Sequence, residues 1–222
     1  MHIKSLYPEV PYPPPDTNAH IVLLRRPDQA EWPDFTLHID ARTGKTRTFR
    51  EFVERIPYAA TALGGLGLSP ENGDIIGIMS FNCMVSRYRC FLRQPDLIIS
   101  GPNQDYITLV HACLYIATPF ALISALSKPF ELKHALKLSK ATCLFIDEKL
   151  LSTVLPVAIE LGISSKRIFI MSGNMPNRRS FSQLIDETQK KKADIIPVRP
   201  VQRDTLAYLI FSSGTTGLPK GN

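Results

Sequence analysis

Between residues 73 and 211 the chain alternates short apolar runs with longer amphipathic stretches. The runs cover 73–80, 120–123, 142–146, 167–171 and 206–211, and Ile, Leu, Phe and Met dominate them. Hydrophobicity that is continuous rather than alternating is the mark of a parallel strand covered on both faces. The stretches at 107–117, 130–139, 149–161 and 181–190 instead space their apolar residues three and four apart, as helices lying on a core do. Strands alternating with helices at these lengths predict an α/β fold with a doubly wound, mostly parallel sheet. Upstream, residues 35–40 alternate, 41–45 turn at Gly44 and 46–49 return, which predicts a hairpin. A helix follows, with Thr48 as its cap and Phe52, Ile56, Ala59, Ala60 and Leu63 on one face, ending at Gly64 and Gly65.

Three segments depart from this alternation. Prolines cluster over residues 8–15, so residues 1–34 read as an extended N-terminal arm and 35–222 as the domain. Residues 85–104 have neither helical nor strand period, and a structureless connection of about twenty residues is uncommon inside a compact domain. They read as an atypical insert. Val85-Ser86 can be encoded by GTAAGT and Gln104 by CAG, a common splice donor and acceptor, so the segment is expected to be translated intron; a genuine surface loop is the alternative. Residues 106–126 imitate a membrane span of about twenty residues. His111 lies inside that stretch and Pro119 divides it into a helical half and a strand half, so no span is expected and a membrane-anchored protein is the lesser reading.

Composition narrows the class further. A hydrophobic content of 44% with 21% charged residues is that of a globular chain with a buried core. The net charge of +6 is scattered, apart from Lys190, Lys191 and Lys192 at a helix end, so no nucleic-acid partner is expected. Cys83, Cys90, Cys113 and Cys143 have no CxxC spacing and no His/Cys cluster beside them, which predicts reduced thiols, no metal site and a cytoplasmic protein. The N-terminus lacks an apolar stretch of signal-peptide length. His20, His38, His111 and His134 sit on unrelated segments and read as surface or satisfied core residues. Asp147 and Glu148 read as helix N-terminal charge, and Tyr208 as core.

The chemistry concentrates at the end of the chain. The run at 206–211 leads directly into Ser212, Ser213, Gly214, Thr215, Thr216, Gly217, Leu218, Pro219, Lys220 and Gly221. Gly214 and Gly217 permit positive φ and close backbone approach, so successive N–H groups can form an anion nest. The four hydroxyls add donors for phosphate oxygens, and Lys220 adds a cation. The common nucleotide P-loop is excluded, because it requires Gly-Lys followed by Ser or Thr.

The pattern from Leu209 to Lys220 resembles, without a gap, the signature of the AMP-binding, adenylate-forming superfamily, of the acyl-CoA synthetase and coumarate-CoA ligase kind. The stretch 73–80 resembles that family's "GD-x-V-x-I-x-S" strand, and 129–132 and 203–208 resemble its neighbouring segments. The resemblance implies that the domain is the first part of the large N-terminal domain of such a ligase. It implies ATP, Mg2+ and CoA as cofactors and a carboxylic acid as substrate, with an acyl-adenylate passed to CoA. Ser212, Ser213, Gly214, Thr215, Thr216, Gly217, Pro219 and Lys220 would hold the pyrophosphate end of ATP. No residue is assigned the covalent chemistry. The family's ribose-binding acid, acyl pocket and catalytic lysine follow this loop, so the chain as given is expected to be an inactive fragment. A non-catalytic binding partner is the alternative, and a longer form leaves a C-terminal peroxisomal signal open.

Overall fold

A computed structural model of the chain describes residues 16–25, 29–39, 44–81, 105–212 and 220–221. The extended arm was inferred from the prolines at 8–15, and these, like the insert at 85–104, lie outside the described residues. Residues after Pro15 form a short helix α1 (Ala19–Leu24), capped by the Asn18 side chain. The expected hairpin is present as β1 (Thr36–Ile39) and β2 (Thr46–Thr48), antiparallel, with a register irregularity between Thr36 and His38. Helix α2 (Phe49–Gly65) starts at Thr48: its hydroxyl accepts from the Glu51 amide, and the Glu51 carboxylate accepts from the Thr48 amide. This reciprocal box satisfies two amides that the first turn leaves unpaired.

The remaining strands are β3 (Ile76–Met79), β4 (Phe120–Leu122), β5 (Cys143–Ile146), β6 (Ile168–Ile170), β7 (Tyr208–Ser212) and β8 (Lys220–Gly221). They form one sheet in the order β6-β5-β3-β4-β7-β8, parallel except for β8. The helices between them are α3 (Asp105–Tyr115), α4 (Pro129–Ser139), α5 (Leu151–Glu160) and α6 (Phe181–Lys190). One core cluster joins α2, α3 and α6 to the sheet through Phe52, Ile56, Leu109, Phe145 and Phe181. A second joins α4 and α5 to the opposite face through Leu132, Leu136, Leu144, Ile146 and Val154. Helices on both faces and a strand order that reverses at β3 make this a doubly wound α/β sheet.

The apolar runs are buried where both faces are covered: every residue of β3 and β5 is inaccessible. At β7 the reading fails. Leu206, Tyr208 and Ile210 are exposed, Tyr208 by 51%, because no described helix lies over that face of the edge-ward strand. Polar anchors fix the strand starts. Gly73 adopts a left-handed φ of 69°, and Asp74 behind it is buried. The Asp74 carboxylate accepts from Thr142 Oγ1 at 2.7 Å, Arg167 Nη2 at 2.7 Å and the Ser69 amide at 3.2 Å. The Gly-Asp pair therefore aligns the entries of β3, β5 and β6.

Gly77, in the middle of β3, is required for a different reason. A Cβ there would lie 2.6 Å from Leu144 Cδ2 and 3.3 Å from Ala141 Cβ. Leu144 is itself buried in the second core cluster and has little room to yield. Gly77→Ala is expected to lower the unfolding free energy by about 2 kcal/mol through overpacking, measured from the urea midpoint.

Candidate functional site

All five parallel strands deliver their carboxyl ends to one edge of the sheet. In doubly wound sheets that edge is where ligands bind. Successive ends are tied laterally: the Ile123 amide donates to the Ile78 carbonyl, Asp147 to Met79 and Met171 to Ile146. Asp147, at the end of β5, is buried and its carboxylate accepts from Ser80 Oγ at 3.0 Å and the Phe81 amide at 2.6 Å. Asp147 does stand at the N-cap of the helical turn Glu148–Leu150, as read, but its side chain makes no cap hydrogen bond. It fixes the exit of β3 instead, between the two strands at which the chain reverses direction across the sheet.

The candidate phosphate loop leaves the same edge. β7 carries its chain to Ser212, and β8 returns it at Lys220, with the pairs Ser212↔Lys220 and Phe211↔Gly221 in antiparallel register. Both backbone ends of the loop are thus held by one ladder. Phe211, at the end of β7, packs on the cluster that contains Met79, Ile123 and Ile146. Helix α4 approaches β8, so the loop's return lies beside the α4 layer. Ser213, Gly214, Thr215, Thr216, Gly217 and Pro219 lie outside the described residues, as do the side chains of Ser212 and Lys220. The donor set is chemically suited to a polyphosphate: two glycines, four hydroxyls and one ammonium, with no carboxylate among residues 212–220.

The sequence pattern that defines the AMP-binding enzymes matches residues 96–222, more than half of the chain and including the whole loop. The chain belongs to the AMP-binding enzyme family. Solved structures of its ligases share the fold. An anthranilate CoA ligase in complex with anthranoyl-AMP superposes with a TM-score of 0.70 at 21% identity, over 94% of this chain and 34% of that one. A long-chain-fatty-acid-CoA ligase from Archaeoglobus fulgidus gives 0.68 at 21% identity, over 98% of this chain and 38% of that one. ATP-bound MatB from Rhodopseudomonas palustris gives 0.62 at 16% identity, over 93% and 34%. This AMP-binding chain therefore spans about a third of the length of those structures. No curated protein matches it.

Away from the edge, the structure assembles two groups of residues that local sequence patterns do not reveal. Asp105, at the start of α3, is buried and receives Arg47 Nη1 at 2.8 Å, Arg55 Nε at 2.9 Å, Arg55 Nη2 at 2.9 Å and Ser182 Oγ at 2.8 Å. Burial opposes its charge, but the Arg55 and Arg47 guanidiniums and the Ser182 hydroxyl outweigh it and hold the carboxyl below its usual range. That one carboxylate joins β2, α2, α3 and α6. The second group consists of His20, His38 and His111, which were read as lying on unrelated segments and which the fold gathers around Phe52 and Tyr115. Among the described residues no group of three His, Cys, Asp or Glu could hold a metal ion, and no helix is long and apolar enough to cross a membrane.

Proposed function

We propose that this chain is the front portion of an ATP-dependent ligase that converts a carboxylic acid to its acyl-adenylate and then to an acyl-CoA. The observation that carries the proposal is the placement of the Ser/Thr/Gly/Lys loop. It springs from the carboxyl end of β7 and its two ends are closed by the Ser212↔Lys220 pair. A nest of backbone amides anchored at that edge can hold the β and γ phosphates while the carboxylate attacks the α phosphorus, which makes pyrophosphate the leaving group. Ser212, Ser213, Thr215 and Thr216 supply hydroxyl donors, and Gly214 and Gly217 let the backbone come close. Pro219 has no amide to donate and sets the backbone before Lys220, whose charge stabilises the departing pyrophosphate. Mg2+ would add charge neutralisation when bound with ATP. CoA would receive the acyl group, and a cytoplasmic setting suits both cofactors.

By this proposal the chain as given is inactive, since the loop supplies only the phosphate contacts. Pyrophosphate release that needs both ATP and an acid should be absent from the 222-residue chain and present in a counterpart carrying the rest of the ligase. Release from the short chain above background would overturn the assignment of inactivity. A second reading, a non-catalytic fragment that binds a partner, is favoured by the exposed strip of Leu206, Tyr208 and Ile210. It predicts association that Ile210→Lys abolishes; sedimentation of both proteins as monomers at every concentration would dismiss it.

A further inference from the structure

We propose that His20, His38 and His111 form an acid-released clasp that holds α1 and the β1–β2 hairpin against the α2–α3 layer. The three imidazoles come from three elements and join in one chain of ring contacts that runs through Phe52. His111 of α3 lies edge-on to Phe52 of α2 at 5.4 Å, and His38 of β1 meets the same Phe52 at 5.4 Å. His20 of α1 lies 5.9 Å from His111 and 5.0 Å from Tyr115. Each histidine buries its Nδ1 with no hydrogen-bond partner among the described residues. A protonated imidazole would need a partner for that N–H, and the pocket provides none.

Among the described residues, basic neighbours of His20 and His38 oppose positive charge. His20 faces His111 and Arg25, and His38 faces Arg47. Tyr115 donates its hydroxyl to the Ile196 carbonyl, and its oxygen is approached by the Arg25 guanidinium. The neighbouring carboxylate, Asp105, is engaged by Arg47, Arg55 and Ser182. Burial, then His111, then Arg25 bring the His20 pKa down to about 4. Burial lowers that of His111, and burial followed by Arg47 lowers that of His38. A base whose folded pKa is depressed stabilises the docked state above its free pKa of 6.5, and that stabilisation is lost as pH falls towards the folded value.

Release is local because the histidines sit at one margin of the fold. Besides them, α1 is held by Leu24 in the core cluster and by the Asn18 Nδ2 bonds to Leu114 O of α3 and to Arg199 O in the segment between α6 and β7. The layer between the sheet and α4–α5 is built on Leu132, Leu136, Leu144, Ile146 and Val154, apart from these three histidines. Acid therefore lifts the N-terminal layer and leaves the parallel sheet intact.

Amide hydrogen exchange of the full chain at pH 7.5 and pH 5, corrected for intrinsic rates, tests the clasp. One proton taken up over the 1.5 units below the free pKa weakens docking by about 30-fold, so residues 19–24 and 36–39 should lose at least that much protection. Residues 143–146 and 168–170 should keep theirs within about threefold. Unchanged protection at 19–24, or equal loss in the sheet, overturns the proposal. His20→Phe keeps a ring without a titrating nitrogen and should reduce the pH effect at 19–24 by about tenfold; an undiminished effect overturns it. Should that variant not fold, imidazole proton shifts of the unaltered chain decide the matter. His20, His38 and His111 should each titrate below the free value of 6.5, and titration of all three at that value overturns the clasp.

Discussion

Asp105→Ala is expected to lower the unfolding free energy of the chain by about 3 kcal/mol, which is the low end for removing one partner from a buried ion pair. The size follows from what remains. Arg47 and Arg55 keep 14% and 18% of their side chains exposed, so both guanidiniums stay largely desolvated after the carboxylate is gone. Arg55 retains Asp186 at 3.0 Å, an exposed acid that replaces only part of the loss, and Ser182 loses its shorter acceptor at 2.8 Å and keeps the Met171 carbonyl at 3.3 Å. Arg47→Ala should cost less, about 1 kcal/mol, because Arg55 still grips both carboxylate oxygens. Urea unfolding with an unchanged m-value checks both figures. The stabilisation from Asp105 should also vanish as pH falls below the ordinary carboxylate range, since its carboxyl is held below its free value. Equal midpoints for Asp105→Ala and the parent chain would mean that the hub contributes nothing.

The second large effect concerns activity. In a counterpart extended through the rest of the ligase, Lys220→Ala is expected to lower turnover by 30- to 1,000-fold, about 2 to 4 kcal/mol of transition-state stabilisation. Binding of the acid should change little, because the ammonium acts on charge that moves onto the leaving pyrophosphate. Lys220→Arg should recover part of the loss, since the charge survives while the fork geometry differs. Steady-state kinetics of the three proteins separates these effects. An unchanged kcat for Lys220→Ala would remove Lys220 from the loop's function, while a rise in KM alone would assign it to ground-state binding.

Elements whose fate is decided by their own residues could be read from the sequence. The runs at β3 and β5 and the Thr48 cap of α2 follow local rules, and the structure reproduces them within a few residues. Contacts that depend on distant residues could not. Tyr208 sits in as apolar a run as Phe145, yet an apolar side chain records a preference for burial and not whether anything covers it. His20 and His111 are 91 positions apart, so no period joins them, and His111 is only a polar interruption in an apolar stretch. Asp147 reads as a helix-start charge and Asp105 carries no local pattern, and their partners lie 50 to 77 positions away. For the loop, the residue types and order were legible, whereas the Ser212↔Lys220 register that closes it is a property of the fold.

The central claim is that the loop serves cleavage between the α and β phosphorus atoms of ATP, with a carboxylate as nucleophile. Exchange of labelled pyrophosphate into ATP by the extended protein, with acid present and CoA omitted, tests it most directly, since only a reversible adenylation returns pyrophosphate to ATP. The account predicts exchange that requires the acid and falls at least 30-fold in Lys220→Ala. Release of orthophosphate and ADP with no exchange for any carboxylic acid would place the cleavage at the γ phosphorus and contradict it.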